Sequence, residues 1–414
     1  MEYGLVESPI TEIDVPDYIG RIVSEFHEYE MLQDIRNVDE VSYPELVIDG
    51  KSCLCFCSNN YLGLSIHPEV KKSAIEAIER YGIGTCESRL VAGNLTILEE
   101  LEQAIAEFKC APAAIVYLSG YMTNIGVIPA IIDSIELPGF SSVKNDDNLI
   151  IKDMLCHTSI VDGCKLSKSP KKTYLHNDMN HLESILKRNK DKRKLIITDG
   201  VFSMDGDMAN LPDIVRLAQT YNAMVMVDDA HATGVIGENG RGTAEYFGLE
   251  GEIDIMMGTL SKAIGALGGF VTASSDIIEF LKTVSRPYIF SSSLPPEQAC
   301  GIMTAINIIQ TQPELRAKLW RNVAHLKSGL QELGFDTLNS ETHIIPILIG
   351  EEKKSIQMSR LLFDRGILAS AIGWPAVKMG KSRIRCSVMA IHTPKQIEQA
   401  LIAFEEVGRI VGII

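Results

Sequence analysis

From Ser58 to about Pro296, short apolar runs alternate with longer stretches whose apolar residues recur every three or four positions. The short runs read as strands: "AAIVYL" (113–118), "NLIIKD" (148–153), "KLIITDG" (194–200), "AMVMVDD" (223–229), "DIMMGTL" (254–260) and "GGFVTAS" (268–274). The longer stretches read as helices over 68–81, 98–108, 179–188 and 211–221. Alternation of this kind predicts an α/β unit around a mainly parallel sheet. Before it, "PELVIDGKSCLCFC" predicts two short strands joined at Asp49-Gly50. Glu12 to Asn37 reads as mixed and helical. After Pro295-Pro296 the pattern changes. One long amphipathic helix is expected from Glu297 to Leu333, then strand "HIIPILIG", a helix over 354–365, strand "RIRCSVMA" and a helix over 394–408. The expected organisation is an N-terminal arm (1–57), a large α/β domain (58–296) and a smaller α+β domain (297–414).

Polar residues gather where the apolar runs stop, as in "TDG", "VDDAH" and "GTLSK". Open α/β sheets bind ligands just outside the carboxyl ends of their strands. Candidate chemistry is therefore sought there.

Bulk properties narrow the classes. The chain has 414 residues and a net charge of -15, which argues against a nucleic-acid or membrane-surface binder. The apolar stretch 111–135 is broken by Pro112, Gly120, Asn124, Pro129 and Asp133, so no membrane span is expected. Met1 to Ile10 has two glutamates and no basic residue, unlike a secretory signal. Nine scattered cysteines fit a reducing compartment, and a cytoplasmic location is expected. Cys53, Cys55 and Cys57 alternate, which on a strand places them on one face as core packing; no metal site is expected.

Two strand tips carry the sharpest signals. "MVMVDDAHATG" delivers Asp228, Asp229 and His231, a set open to three readings: metal ligands, acid–base groups or a capped loop. "GTLSKAIGALGG" places Lys262 among small and apolar residues beside Thr259 and Ser261. Desolvation turns a lysine into a nucleophile that forms Schiff bases with carbonyls. Pyridoxal 5′-phosphate needs such a lysine, an acidic partner for its pyridine nitrogen and a phosphate cup. Lys262 can be the first and Asp228 the second. "LSGYMTN" (118–124), where a strand ends and a helix begins, can supply the third through free backbone N–H groups. The glycines around Lys262 then read as room for the ring and for backbone near it.

The ordered series "SNNYLGLSIHPEV", "HNDM", "TDGVFSMDGD", "VDDAHATGVIGENGRG", "GTLSKAIGALGG", "FSSSLPP" and "RIRCSVMAIHTPKQI" resembles the α-oxoamine synthases over nearly the whole chain. These are fold-type I pyridoxal-phosphate enzymes, with a large mainly parallel domain and a smaller C-terminal one. The resemblance implies that Lys262 forms the Schiff base with the cofactor, that Asp228 holds the pyridinium proton and that His231 bonds the phenolic oxygen. It places His157 on the ring face, with Ser203 also touching the ring. Gly120, Tyr121 and Thr259 would cup the phosphate, and Ser292 would reach the phosphate of a partner subunit. Asn59 and Arg385 would hold the amino-acid substrate, Arg385 gripping its carboxylate with a planar fork. The implied reaction is a decarboxylative condensation of a small amino acid with an acyl-CoA, in a homodimer with shared sites.

Within that family the motifs divide. "RIRCSVMAIHTPKQI" and "SKAIGALGGFV" look like bacterial serine palmitoyltransferases, which tips the reading slightly that way. "TDGVFSMDGDMANLP" and "VGRIVGII" look like 2-amino-3-ketobutyrate CoA ligases (glycine C-acetyltransferases), and "VDDAHATGVIGENGRG" is shared with 8-amino-7-oxononanoate synthases. An aminotransferase on the same fold is the alternative of another class. Glu87, Leu98, Gly373-Trp374 and an insertion over 133–148 depart from the family pattern. They are expected around the acyl-donor entrance, where an acyl-carrier protein could replace CoA.

Overall fold

The computed structural model describes residues 15–28, 35–135 and 144–414. A seven-stranded sheet forms its centre, in the order β4 (Ala113–Tyr117), β10 (Gly269–Ala273), β9 (Ile255–Thr259), β8 (Ala223–Asp228), β7 (Arg193–Asp199), β5 (Asn148–Asp153), β6 (Lys171–Tyr174). β10 runs antiparallel to both neighbours, and the remaining pairs are parallel. The strands are buried on both faces, which explains why they read as continuous apolar runs rather than alternating ones. β6, "KKTY", has no such run. It lies at the sheet edge with three of its four residues exposed, so periodicity could not find it.

The arm forms β1 (Val38–Ser42), β2 (Glu45–Ile48) and β3 (Lys51–Cys55), with the expected turn at Asp49 (φ 50°) and Gly50 (φ 73°). β3 also pairs in parallel with β12 (Ile367–Leu368), so the arm shares a sheet with the C-terminal part of the chain. Of the 12–37 stretch, Val15–Glu28 is helical; residues 12–14 and 29–34 lie outside the described residues.

The expected long helix over 297–333 is two, Pro296–Thr311 and Pro313–Glu332. Pro313 has no N–H to continue the first and instead opens the second at its first turn. Beyond it, β11 (Ile344–Gly350), β14 (Ser382–Ser387) and β13 (Ser370–Ile372) form an antiparallel sheet flanked by helices Glu352–Asp364 and Pro394–Val411. This is the smaller C-terminal domain. No helix among the described residues is long and apolar enough to cross a membrane.

Candidate active site

Five segments converge at the carboxyl ends of the central strands. β4 leads into Ser119, which caps the helix Gly120–Ile132 by accepting from Met122 N, and Gly120 and Tyr121 open that helix. Thr259 ends β9 and lies beside Gly120: a Cβ on Gly120 would sit 3.2 Å from Thr259 Oγ1 and 3.0 Å from Met257 Cε. The missing side chain thus leaves a cradle between a helix N-terminus and a hydroxyl, suited to an anion. Thr259 Oγ1 bonds Ser261 Oγ at 2.9 Å and donates to Gly268 O at 3.0 Å.

Lys262 follows in the turn after β9. The glycines around it sit against neighbouring backbone. Gly265 has φ +76°, and a Cβ there would meet Ser65 N at 2.5 Å; one on Gly269 would meet the Gly120 backbone at 2.7 Å. They let backbones approach closely, as expected of them. Desolvation lowers the Lys262 pKa to about 8, Arg385 adds to that effect, and Asp228 and Asp199 oppose it.

Asp228 ends β8, 3% exposed; its Oδ2 accepts from Asn124 Nδ2 at 2.7 Å and its Oδ1 from Ala230 N at 3.0 Å. Asp229 turns away, accepting from Thr243 Oγ1 at 2.6 Å and pairing with Lys109 at 3.3 Å. The two carboxylates have separate partners. His231 Nδ1 lies 2.8 Å from Tyr61 Oη, and desolvation first, then Lys262 and Arg385, hold its pKa well below the ordinary value.

His157 caps the helix Thr158–Leu166, with its backbone N–H donating to Asp199 Oδ2 at 2.9 Å. Asp199 sits opposite Asp228 in register across β7 and β8. Burial, followed by the nearby charge of Asp228, pushes its carboxyl pKa well up. Arg385, on β14, is 7% exposed, and its Nε donates to Ser203 O at 2.6 Å. Both terminal nitrogens of Arg385 lie 3.4 Å from Asn59 Oδ1, which also accepts from Tyr61 Oη at 2.9 Å. Asn59, Tyr61, His231, Ser203 and Arg385 are therefore one connected cluster. Ser203 joins through its carbonyl.

Ser292 stands apart. It is exposed and bridges Ser88, beside exposed Glu87, whose carbonyl accepts from Ser293 N at 3.2 Å. Leu98 lies wholly inside the core, which corrects its expected place at an entrance. Gly373 is half-buried and Trp374 exposed; residues 136–143 of the insertion lie outside the described residues.

Asn124, Ser159, Asp199 and Tyr61 were missed in the sequence. A signal existed for two of them: Asp199 ends an apolar strand as Asp228 does, and Asn124 is a polar residue in an otherwise apolar helix.

A desolvated lysine, a buried carboxylate held by two N–H donors and a glycine cradle beside a threonine are together what pyridoxal 5′-phosphate requires, so the residues fit the cofactor. The family model for aminotransferase class I and II matches residues 51–404. The chain belongs to that family. Its α-oxoamine synthase branch is marked by the relatives. An 8-amino-7-oxononanoate synthase from Thermoanaerobacter pseudethanolicus is 47% identical over 400 residues, covering 96% of this chain and 98% of that one. Among solved structures, a serine palmitoyltransferase from S. paucimobilis with PLP bound has a TM-score of 0.91 at 34% identity, covering 97% and 100% of the two chains. An 8-amino-7-oxononanoate synthase from Francisella tularensis has a TM-score of 0.73 at 25% identity, covering 87% and 99%. This α-oxoamine synthase is a pyridoxal-phosphate-dependent acyltransferase that takes an amino acid and an acyl thioester.

Proposed function

We propose that this α-oxoamine synthase condenses alanine with a seven-carbon acyl thioester bearing a terminal carboxylate, giving 8-amino-7-oxononanoate. The reading is carried by the 47% identity to an 8-amino-7-oxononanoate synthase over 96% of the chain, against 34% for a serine palmitoyltransferase. It replaces the serine palmitoyltransferase-like activity toward which the motifs tipped. The product's name specifies both substrates. Its terminal methyl and amine-bearing carbon are the two carbons alanine keeps after losing carbon dioxide. The remaining seven, from ketone to carboxylate, come from the acyl group. One carbon–carbon bond forms between the amino acid's α-carbon and the acyl carbonyl, and the thiol and carbon dioxide leave.

Bound pyridoxal phosphate supplies the electron sink for the pair left on the α-carbon. The residues do the rest. Lys262 would hold the cofactor through its amine and would move the α-proton as a neutral amine. Asp228 would hold the proton at the ring nitrogen, and His231 would bond the phenolic oxygen while Tyr61 orients its imidazole. His157 covers the ring face, and Ser203 adjoins it. Gly120, Tyr121 and Thr259 take the phosphate. Arg385 and Asn59 take the amino acid's carboxylate. Ser292, exposed in the single chain, serves the partner's phosphate in a homodimer working in the cytoplasm.

Turnover of glycine, alanine, serine and threonine with heptanedioyl-CoA and palmitoyl-CoA tests the assignment. Alanine with the dicarboxylic donor is expected to exceed every other pair by about tenfold or more in kcat/KM. Faster turnover of serine with palmitoyl-CoA would overturn it. The same donor carried on an acyl-carrier protein tests the carrier: equal or better kinetics with CoA dismisses the carrier protein. Arg385→Lys keeps the charge and loses the planar fork, so KM for alanine is expected to rise about tenfold with a smaller change in kcat. An unchanged KM would remove Arg385 from the carboxylate site.

A further inference from the structure

We propose that Asn124 and Ser159 are positioning residues. Through one buried amide they tie the Asp228 carboxylate to the His157 imidazole and fix that imidazole as its Nε2–H tautomer. The inference rests on the roles given above to Asp228 and His157.

Asn124, the fifth residue of the helix Gly120–Ile132, is fully buried, with no water-facing alternative for its amide. Its Nδ2 donates to Asp228 Oδ2 at 2.7 Å and to Ser159 Oγ at 2.8 Å. An amide nitrogen carries two protons, and both are committed. Its Oδ1 is buried with no partner. The flipped amide would set that oxygen against a carboxylate oxygen, so the orientation is forced even though it strands an acceptor. Close helix packing makes the bond possible. A Cβ on Gly163 would lie 2.8 Å from Asn124 O, so only a glycine lets the helix Thr158–Leu166 bring Ser159 this near.

Ser159 Oγ accepts from Asn124, which leaves its own proton for His157 Nδ1 at 2.7 Å. The Ser159 backbone N–H also points at Nδ1, at 3.3 Å, and a backbone N–H can only donate. Nδ1 is therefore an acceptor, and a neutral imidazole keeps its proton on Nε2. Desolvation lowers the His157 pKa and keeps the ring neutral; Lys262 acts in the same direction, and Asp228 opposes. Asp199, whose Oδ2 holds the His157 backbone, is the other ionisable group against it.

The same amide acts on Asp228. Its Oδ2 accepts from the Asn124 amide, while its Oδ1 accepts from Ala230 N. Both contacts fix the orientation of the carboxylate. One residue thus orients the group at the ring edge and, through Ser159, sets the tautomer of the group at the ring face.

Ring-15N-labelled histidine, read by NMR in the protein before and after loading with PLP, tests the proposal, with His157 assigned by its loss in His157→Gln. The native protein and Ser159→Thr, which keeps the hydroxyl, are expected to show the Nε2–H signature. Ser159→Ala is expected to lose it to a mixture of tautomers. An Nδ1–H signal in the native protein, or an unchanged spectrum in Ser159→Ala, overturns the proposal. Asn124→Leu is expected to weaken PLP binding about tenfold, since Asp228 loses a charge-assisted bond. Unchanged affinity in a folded Asn124→Leu protein contradicts the Asp228 half. If that variant does not fold, the Ser159 pair still decides. The tautomer is read without cofactor, so failure of PLP to bind the native protein would count against the active-site reading and leave the tautomer result standing on its own.

Discussion

Lys262→Ala is expected to abolish turnover, by at least about a thousandfold, because the variant loses both the covalent tether and the base at the α-carbon. The native protein loaded with PLP is expected to show an absorbance band that borohydride abolishes as it fixes the cofactor to the chain, and the variant is expected to show neither. The pH dependence gives a sharper test. A lysine amine reacts with an aldehyde only when neutral. In water its pKa is near 10.4; here desolvation, aided by Arg385, brings it to about 8 against the pull of Asp228 and Asp199. The rate at which the cofactor-free protein takes up PLP is therefore expected to rise with pH and level off above a midpoint near 8. A midpoint above 10 would mean that the amine is not desolvated. Arg385→Ala should move the midpoint upward, since it removes a neighbouring cation.

His176→Ala is expected to destabilise the protein by about 3 kcal/mol, the usual cost of leaving a buried charge without its partner. His176 lies between two carboxylates, with Nδ1 3.1 Å from Asp153 and Nε2 2.8 Å from Asp207. Its ring meets Phe202 edge-on at 4.4 Å. Asp153 is fully buried, so it has no water to fall back on. Burial alone would lower the imidazole pKa, but the bonds to Asp153 and Asp207 outweigh it and raise the pKa to about 10. A pKa raised by folding stabilises fully below the unfolded value near 6.5. That stability is lost as pH climbs toward 10. Urea unfolding from pH 6 to pH 10 is expected to show this loss in the native protein and a flatter profile in His176→Ala. Parallel profiles would show that His176 is uncharged in the fold. The bridge matters to the site as well. It anchors the 200–207 segment, whose Ser203 carbonyl holds Arg385 and whose Asp205 pairs with Arg383 at 2.6 Å.

Strands buried on both faces were legible because burial demands uninterrupted apolar residues: β4, β5, β8, β9 and β10 fall within the runs read from the sequence, and β7 starts one residue before its run. Edge strand β6 and the break at Gln312-Pro313 were not, since one lacks an apolar run and the other interrupts a periodic stretch with a single residue. Leu98 looked like a functional departure because its position in the motif was unusual; burial shows it to be core. The cysteines illustrate the same limit. Alternation put Cys55 and Cys57 on one side, and their sulfurs are indeed 3.9 Å apart, but desolvation and Arg385 next to them could not be read from spacing.

The sequence by itself determined which side chains stand at the strand tips: Lys262, Asp228, His231, Thr259 and the Gly120 helix start. Strand ends and helix starts are local events, written in local composition. Only the tertiary structure decided how those groups are tuned. Asn124 meets Asp228 across 104 residues, Arg385 meets Asn59 across 326, and Tyr61 meets His231 across 170. Hydrogen bonds and desolvation depend on distance in space, and no pattern along the chain encodes a distance of that kind.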